Sequence, residues 1–245
     1  MSSIRIGVIT PHAATGPEEE IPAMAPASIT RVVRIGSAPG PPTSPSALQS
    51  LTRAAVLDAA VGAFAGYSPD VVGYASTTSA YAIGFDAEAA VVSRLSALLG
   101  VPVASTCESA VRAMRALGLV RVVLVGAPWF DAELNELGAA YFRDQGFDVV
   151  SSASAELTPD PDRIDPADVY AWISGHVGGD ADGVFIGGNG FRAAGAIDRL
   201  ESALDCPVLT SNQVLLWNLL AQIGNPLVIS GYGRLFARRS GFSAD

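Results

Sequence analysis

The chain contains an internal repeat, in which three segments of the first half recur in the same order in the second. The separation between the copies is about 110 residues. Each copy is an apolar run that ends in small polar residues, a pattern typical of a buried strand followed by a polar loop. The repeat therefore predicts two similar half-molecules with matched loops. The paired segments are Arg5–His12 with Arg121–Trp129, Val71–Thr78 with Gly183–Gly190, and Leu99–Cys107 with Leu204–Asn212.

Strand-like and helix-like segments alternate along the chain. Predicted strands cover residues 4–10, 30–35, 71–75, 101–104, 121–126, 147–151, 183–186, 208–209 and 227–229. Predicted helices cover residues 46–65, 85–99, 108–117, 132–145, 166–177, 195–204 and 213–223, while most of residues 11–45 reads as a long loop. This alternation predicts an α/β fold of parallel sheets with right-handed crossovers. We expect two pseudo-symmetric doubly wound halves with the active site in the cleft between them.

Charge and composition exclude several classes of partner. A net charge of −9 argues against nucleic acid and against an anionic membrane, but not against a small anionic ligand that meets local donors. The apolar runs are of strand length, well below the roughly 20 residues of a spanning helix. The start of the chain lacks a signal-peptide pattern, and its two cysteines have no disulfide spacing, so a cytoplasmic location is expected. No His/Cys/Asp cluster has metal-ligand spacing. The oligomeric state is open, a homo-oligomer included.

Two polar turns follow predicted strands at equivalent places in the repeat. In parallel sheets, ligands bind beyond the carboxyl ends of the strands. The first turn, Ser76–Ser79, offers hydroxyls and backbone N–H groups that suit a carboxylate or a developing enediolate, although a plain helix cap has the same composition. The second turn, Gly187–Gly190, permits close approach of a ligand to the backbone, or is simply a tight turn. The predicted substrate-binding residues are Pro11, Ser76, Thr77, Thr78, Trp129, Gly187, Gly188, Asn189, Gly190 and Asn212.

The candidate catalytic residues are Cys107, His12 and Ser76. Cys107 follows a strand at the start of a helix, where the pKa of a thiol tends to be lowered, but a small buried cysteine fits the same position. His12 follows the first strand and is either an acid–base group or a loop residue without a chemical part. Cys206 is interpreted as structural. Arg192 either contacts a substrate carboxylate or caps its own loop, and Glu18–Glu20 is a solvated acidic run or a helix start.

A set of short motifs is distributed along nearly the whole chain: Arg5–Pro11, Gly73–Ser79, Ala113–Gly118, Asp182–Ile186, Asn189–Arg192, and Cys206–Gln213 followed by Trp217. Together they resemble the aspartate/glutamate racemase superfamily, in the branch of arylmalonate decarboxylase and maleate cis–trans isomerase. The resemblance covers nearly the whole chain. It implies two pseudo-symmetric α/β halves, no cofactor and no metal. It also implies proton transfer beside a carboxylate, or thiol addition to a double bond, by one or two cysteines on the facing loops.

The sequence departs from that pattern at both cysteine positions. Ser76 stands where the racemases and isomerases have the first cysteine, and Gly188 stands at the second. Trp129 replaces the family's tyrosine. A serine hydroxyl is a poor base and glycine has no side-chain group, so cysteine-based racemisation or isomerisation is not expected in its usual form. The resemblance further implies that residues 1–118 with 219–245 form one half and residues 119–218 the other.

Three functional hypotheses follow. In the first, the protein is a cofactor-independent lyase or isomerase of a small carboxylate or dicarboxylate, with an enediolate-type intermediate held by hydroxyls and N–H groups. Decarboxylation fits this best, and a maleate isomerase-like or racemase-like enzyme with a displaced acid or base is the alternative. In the second, the protein binds a small carboxylate without catalysis. In the third, the substrate lies outside the range of the family.

Overall fold

A computed structural model of the chain describes residues 3–11, 14–36, 44–225 and 227–237. Its strands form two four-stranded sheets in which every pairing is parallel. The first sheet contains β1 (Arg5–Thr10), β2 (Ile29–Arg34), β3 (Val71–Tyr74) and β4 (Val103–Ser105). The second contains β5 (Arg121–Gly126), β6 (Asp148–Ser154), β7 (Gly183–Ile186) and β8 (Val208–Thr210). The predicted fold class, paired parallel α/β halves, is thereby confirmed.

Both sheets have the same strand order. It is β2-β1-β3-β4 in the first and β6-β5-β7-β8 in the second. Every residue of β3 and of β7 is buried, which explains their unbroken apolar sequences. Because the strands of each sheet are parallel, their carboxyl ends lie at one edge, where the polar residues after β3, β4, β7 and β8 are brought together.

Helices connect and flank the strands. Those of the first half of the chain are α1 (Pro17–Met24), α2 (Pro45–Ser50), α3 (Ala54–Gly62), α4 (Thr77–Ile83), α5 (Phe85–Leu99) and α6 (Thr106–Leu117). Those of the second half are α7 (Ala132–Asp144), α8 (Pro166–His176), α9 (Ile197–Leu204), α10 (Ser211–Gln222) and α11 (Gly233–Ala237). None of the helices in the described part of the chain has the length and apolar character needed to cross a membrane.

The structure corrects three predicted elements. The loop after β1 contains α1, which starts at a proline and buries Ile21 and Met24 on one face. The single helix expected over residues 46–65 is two helices, α2 and α3. Residues 227–229 form no strand, and Val228 is 62% exposed, so an apolar sequence alone was misleading there.

A close helix contact joins the two halves of the chain. Tyr81 of α4 lies over Gly138 of α7, where a Cβ atom would come within 2.7 Å of Tyr81 Cε2. The Tyr81 ring also packs near Tyr141 and Phe142 of α7, with centroids 6.0 and 6.2 Å away. A residue without a side chain at position 138 is therefore what allows α4 and α7 to approach this closely.

Helix α10 follows β8 but packs on the first sheet. Leu215 and Leu219 cover Gly73 of β3, and Asn218 Nδ2 donates to Ser109 Oγ of α6 at 3.0 Å. The boundary predicted between residues 218 and 219 falls inside this helix. The division into residues 1–118 with 219–245 and residues 119–218 stays a prediction.

We predict that Gly138→Ala lowers the free energy of unfolding by about 1 to 3 kcal/mol, because the added methyl group overpacks the buried Tyr81 contact. The matched control is Gly175→Ala in α8, where a Cβ meets nothing within 4 Å. That variant should be neutral or slightly more stable, since alanine favours helix over glycine. Denaturant unfolding of both variants measures the effect, and equal stabilities would contradict the packing argument.

Glu88 of α5 supplies a pH-dependent term to stability. It is 1% exposed and accepts a hydrogen bond from the Tyr141 hydroxyl, and burial raises its pKa from 4.5 to about 7. An acid with a raised pKa in the folded state favours folding when protonated, so this contribution is complete below about pH 4.5 and is lost as pH rises to about 7. We predict that Glu88→Gln removes about 2 to 3 kcal/mol of the stability loss between pH 5 and 8. Unfolding titrations across this range test it, with exposed Glu133→Gln as control; an unchanged slope for Glu88→Gln would refute the assignment.

Candidate functional site

Polar residues follow the carboxyl ends of two strands in each sheet, and these ends face each other across the two halves. In the first half, β3 leads into the first turn and α4, and β4 leads directly into α6 at Thr106. In the second half, β7 leads into the second turn, and β8 leads directly into α10 at Ser211. Three helix N-termini and one glycine-rich turn are thereby placed side by side.

The two turns are in direct contact. The backbone N–H and the hydroxyl of Thr77 donate to Asn189 Oδ1 at 3.2 and 3.1 Å. In the opposite direction, the N–H of Gly188 donates to Thr77 Oγ1 at 3.2 Å. Thr77 and Asn189 are 1% and 0% exposed, so these bonds are shielded from water. The loops that the repeat marks as equivalent therefore bind each other.

Two further hydroxyl groups, which were not among the predicted site residues, also bind the second turn. Thr106, from the first half, accepts a hydrogen bond from Asn189 Nδ2 at 3.0 Å. Ser211, from the second half, accepts one from the N–H of Gly188 at 2.9 Å and lies 3.2 Å from Thr77 Oγ1. In the third pair of repeat segments these two residues occupy equivalent positions, which is the signal that would have found them. We call Thr77, Thr106, Asn189 and Ser211 the central cluster.

Cys107 and Asn212 occupy equivalent positions one residue further along, and each supports its own turn. The Cys107 thiol donates to the Thr77 carbonyl at 3.6 Å, and Asn212 Nδ2 donates to the Asn189 carbonyl at 2.9 Å. Burial raises the pKa of Cys107 well above its usual value. The lowered thiol pKa expected at a helix start is therefore wrong, because desolvation outweighs the helix dipole here.

The donors that were expected to cradle an anion are already paired with one another. Gly188 N–H, Thr77 N–H and the Thr77 hydroxyl all have partners within the central cluster. Ser76 caps α4 by accepting from Ser79 N–H at 3.3 Å, and its hydroxyl donates to Ser79 Oγ at 2.7 Å. An anion held here must replace part of this network rather than enter an open cradle.

The other predicted residues of the site follow the strands or belong to the two turns. Pro11 follows β1 and is half-buried, Thr78 is 6% exposed, and Trp129 is half-buried with its ring edge-on to Phe191 at 6.2 Å between centroids. Gly187 and Gly190 are buried in the second turn. His12 lies outside the described residues. Among the described residues there is no group of His, Cys, Asp or Glu that could hold a metal ion.

Gly188, at the position of the second family cysteine in the resemblance, has a backbone conformation that favours glycine. Gly188 has a φ of +113°, a conformation that side chains rarely adopt. A Cβ there would also lie 2.9 Å from the Cβ of Ala127. The reading of this turn as one that requires a positive φ agrees with the structure, and a cysteine at this position would need both turn and neighbour to move.

A buried carboxylate that sequence analysis did not select lies beneath the second turn. Glu20 accepts hydrogen bonds from Asn212 Nδ2 and from Ala194 N–H, each at 2.7 Å. It is 8% exposed, and burial raises its pKa to about 7. Glu18–Glu20 therefore lies in the first turn of α1, as one of its two interpretations predicted. Glu20, the last of the three, is buried.

Arg192 does not cap its own loop in this structure, and its contact with a substrate carboxylate stays a prediction. Its guanidinium pairs with Glu19 Oε2 at 2.5 Å and donates to the Pro161 carbonyl at 2.8 Å. It therefore connects α1 to the segment before α8. An exposed acidic neighbour from a distant part of the chain satisfies this charge, which no local pattern reveals.

The chain is similar to known proteins in both sequence and fold. The profile of the arylmalonate decarboxylase family matches residues 48–236. A search of the curated proteins finds no match. Solved structures with the same fold include a cysteine-to-alanine variant of the maleate isomerase Iso from Pseudomonas putida S16 with maleate (TM-score 0.85, 22% identity, 96% of this chain and 97% of that chain).

Two other similar structures come from both branches of the resemblance. One is a Nocardia farcinica maleate cis–trans isomerase mutant with a covalently bound succinylcysteine intermediate (TM-score 0.84, 22% identity, 95% of this chain and 98% of that chain). The other is an arylmalonate decarboxylase mutant in a sulfate-associated form (TM-score 0.80, 22% identity, 96% of this chain and 100% of that chain). At this identity the structures establish a shared fold, whereas the family profile spans most of the sequence. The chain therefore belongs to the arylmalonate decarboxylase family.

Proposed function

We propose that the protein is a cofactor-independent lyase that removes one carboxyl group from a small dicarboxylate. The observation that carries the proposal is the central cluster, which gathers N–H and hydroxyl donors of both halves at one buried point without an ionised side chain among its own members. Neutral donors in a water-excluded site stabilise negative charge that develops during a reaction. Membership of the arylmalonate decarboxylase family supports the same reading.

The proposed reaction needs little from side chains beyond this stabilisation. One substrate carboxylate replaces the cross-turn bonds and accepts from Gly188 N–H and the Thr77 hydroxyl. The carbon–carbon bond to the other carboxylate breaks, carbon dioxide leaves, and the electron pair stays behind as an enediolate. One proton then returns to the carbon, so that a dicarboxylate and a proton give a monocarboxylate and carbon dioxide. Trp129 and Pro11 are proposed to line the substrate side of the site.

Cysteine availability favours decarboxylation over isomerisation or racemisation. The chain has two cysteines. Burial keeps Cys107 protonated by raising its pKa, and burial raises the pKa of Cys206 as well. Cys206 also precedes β8, at the opposite edge of the sheet from the central cluster. A thiolate nucleophile is therefore not supplied at the site, whereas decarboxylation requires only one proton donor.

A specific observation favours a second candidate, a binding protein for small carboxylates that performs no catalysis. Ser76 and Gly188, where the resemblance places the family cysteines, carry no thiol, while the donor groups of both turns remain. Such a protein would bind a dicarboxylate without turning it over, so binding and turnover measured on the same ligands separate the two functions.

We predict that the wild-type protein turns over disubstituted malonates. In Thr77→Val we expect about a 100-fold loss of kcat/KM, because valine keeps the shape of the side chain but removes a donor to the enediolate. The control is Thr30→Val in β2, whose buried hydroxyl has no partner in the described part of the chain. The panel includes maleate, aspartate and glutamate, and calorimetry measures binding of each. Binding without turnover would favour the second candidate, and neither binding nor turnover would reject both.

We predict that variants of the two candidate proton donors separate their roles. If Cys107 supplies the proton, Cys107→Ser and Cys107→Ala both lose activity, because serine is a far weaker acid. If it only supports the first turn, Cys107→Ser retains activity by donating to the Thr77 carbonyl. In that case His12→Gln should abolish product formation and leave malonate binding intact. Full activity in Cys107→Ala and His12→Gln alike would exclude both residues.

A further inference from the structure

An unbroken chain of hydrogen bonds leads from helix α1 to both turns. Glu20 accepts from Asn212 Nδ2 at 2.7 Å, and Asn212 Oδ1 accepts from Asn189 Nδ2 at 2.9 Å. Asn189 Oδ1 in turn accepts from the N–H of Thr77. The sequence separation between Glu20 and Asn212 is large, so only the tertiary structure reveals this connection.

The bonding capacity of Asn212 leaves its amide one satisfactory orientation. Its Nδ2 donates to Glu20 and to the Asn189 carbonyl, while its Oδ1 accepts from Asn189. Reversing the amide would turn its NH2 group toward the NH2 group of Asn189, and two donors would face each other in a buried site. An ionised Glu20, which is acceptor-only, selects the observed orientation.

We infer that Glu20 is a positioning residue that holds the second turn, and through Asn189 the first, in the arrangement of the central cluster. It touches no proposed substrate atom and acts through Asn212. The inference rests on the proposed function only in taking these turns as the carboxylate site. Its structural content, the coupling of Glu20 to Thr77 and Gly188, is independent of any reaction.

The surroundings of Glu20 make its charge responsive to pH. The charged and titratable groups that face it are Glu19 on the same helix, Arg192 beside Ala194, and Tyr232. Together they line a cavity of about 360 Å³, through which protons can reach the carboxyl group. Arg34 of β2 is paired with Glu18.

The direction of the effect follows from the bonding. Burial raises the pKa of Glu20 to about 7. Above this pH the carboxylate accepts from both Asn212 and Ala194, and the turns are held. Below this pH the carboxyl group of Glu20 carries a proton and is itself a donor. It then competes with the N–H group of Asn212 or of Ala194, which donates to the same group. The central cluster should therefore be well ordered on the alkaline side and loosened on the acidic side.

Backbone amide chemical shifts test this without a ligand. The Ala194 N–H donates directly to Glu20, whereas the amides of Thr77 and Gly188 lie at the far end of the network. In the wild-type protein we expect all three to shift with one common midpoint near pH 7. In Glu20→Gln, which keeps the volume but cannot ionise, none of the three should show this transition.

Three further variants make the test specific. Asn212→Ala removes the bridge, so the transition should persist at Ala194 and vanish at Thr77 and Gly188. Glu19→Gln removes a neighbouring negative charge and leaves the network whole, so the transition should remain with a lower midpoint. Glu88→Gln removes the other buried carboxyl with a pKa near 7 and should leave the Gly188 transition in place.

Two results would overturn the inference. One is a Gly188 amide that does not follow Ala194 in the wild-type protein. The other is a Gly188 transition that survives in Asn212→Ala. If Glu20→Gln does not fold, Asn212→Ala alone still decides between coupling and its absence. A failure to turn over malonates would affect the proposed function and not these shifts.

Discussion

Thr77 and Asn189 occupy equivalent positions in the two halves of the repeat and bind each other through buried hydrogen bonds. The arrangement of the candidate site depends on these bonds. Buried polar groups are costly unless paired, so each turn has its groups satisfied by the other. Thr106 and Ser211 extend the same exchange across the two halves. On the proposed function, the entering substrate carboxylate must offer acceptors at least as good as those that it displaces.

The two halves exchange hydrogen bonds at equivalent positions in the central cluster, but the residues around the cluster differ between them. Cys107 and Asn212 are equivalent supports, but the amide of Asn212 reaches a buried carboxylate on α1, whereas the thiol of Cys107 reaches only the Thr77 carbonyl. Ser76 and Gly188, which the resemblance places at the two family cysteine positions, are a helix cap and a turn residue with a positive φ. On the proposed function, the neutral donors of the site stabilise negative charge, and a group other than a cysteine at these two positions supplies the proton.

Much of the fold was predictable because parallel strands buried on both faces have a distinctive apolar sequence. The cores of β1, β3, β5 and β7 were recognised, and the repeat correctly implied two similar α/β halves. Helix α1 was predicted as loop, with a helix start only as one interpretation of Glu18–Glu20, because its eight residues include two prolines and three consecutive glutamates. The false strand at residues 227–229 shows the converse, since apolar residues without a neighbouring strand cannot form a ladder.

The sequence by itself determined the α/β class and the polar turns after β3 and β7, because these are properties of residue type and local periodicity. Its resemblance to the family also predicted Ser76 and Gly188 at the two cysteine positions. Tertiary structure alone decided that the donors of the two turns are paired with each other. Hydrogen bonds such as Asn189 to Thr106 or Asn212 to Glu20 join residues far apart in the chain, and no local pattern encodes them. It also decided the state of the buried acids and the thiol, since pKa values depend on desolvation by neighbours that only folding brings together.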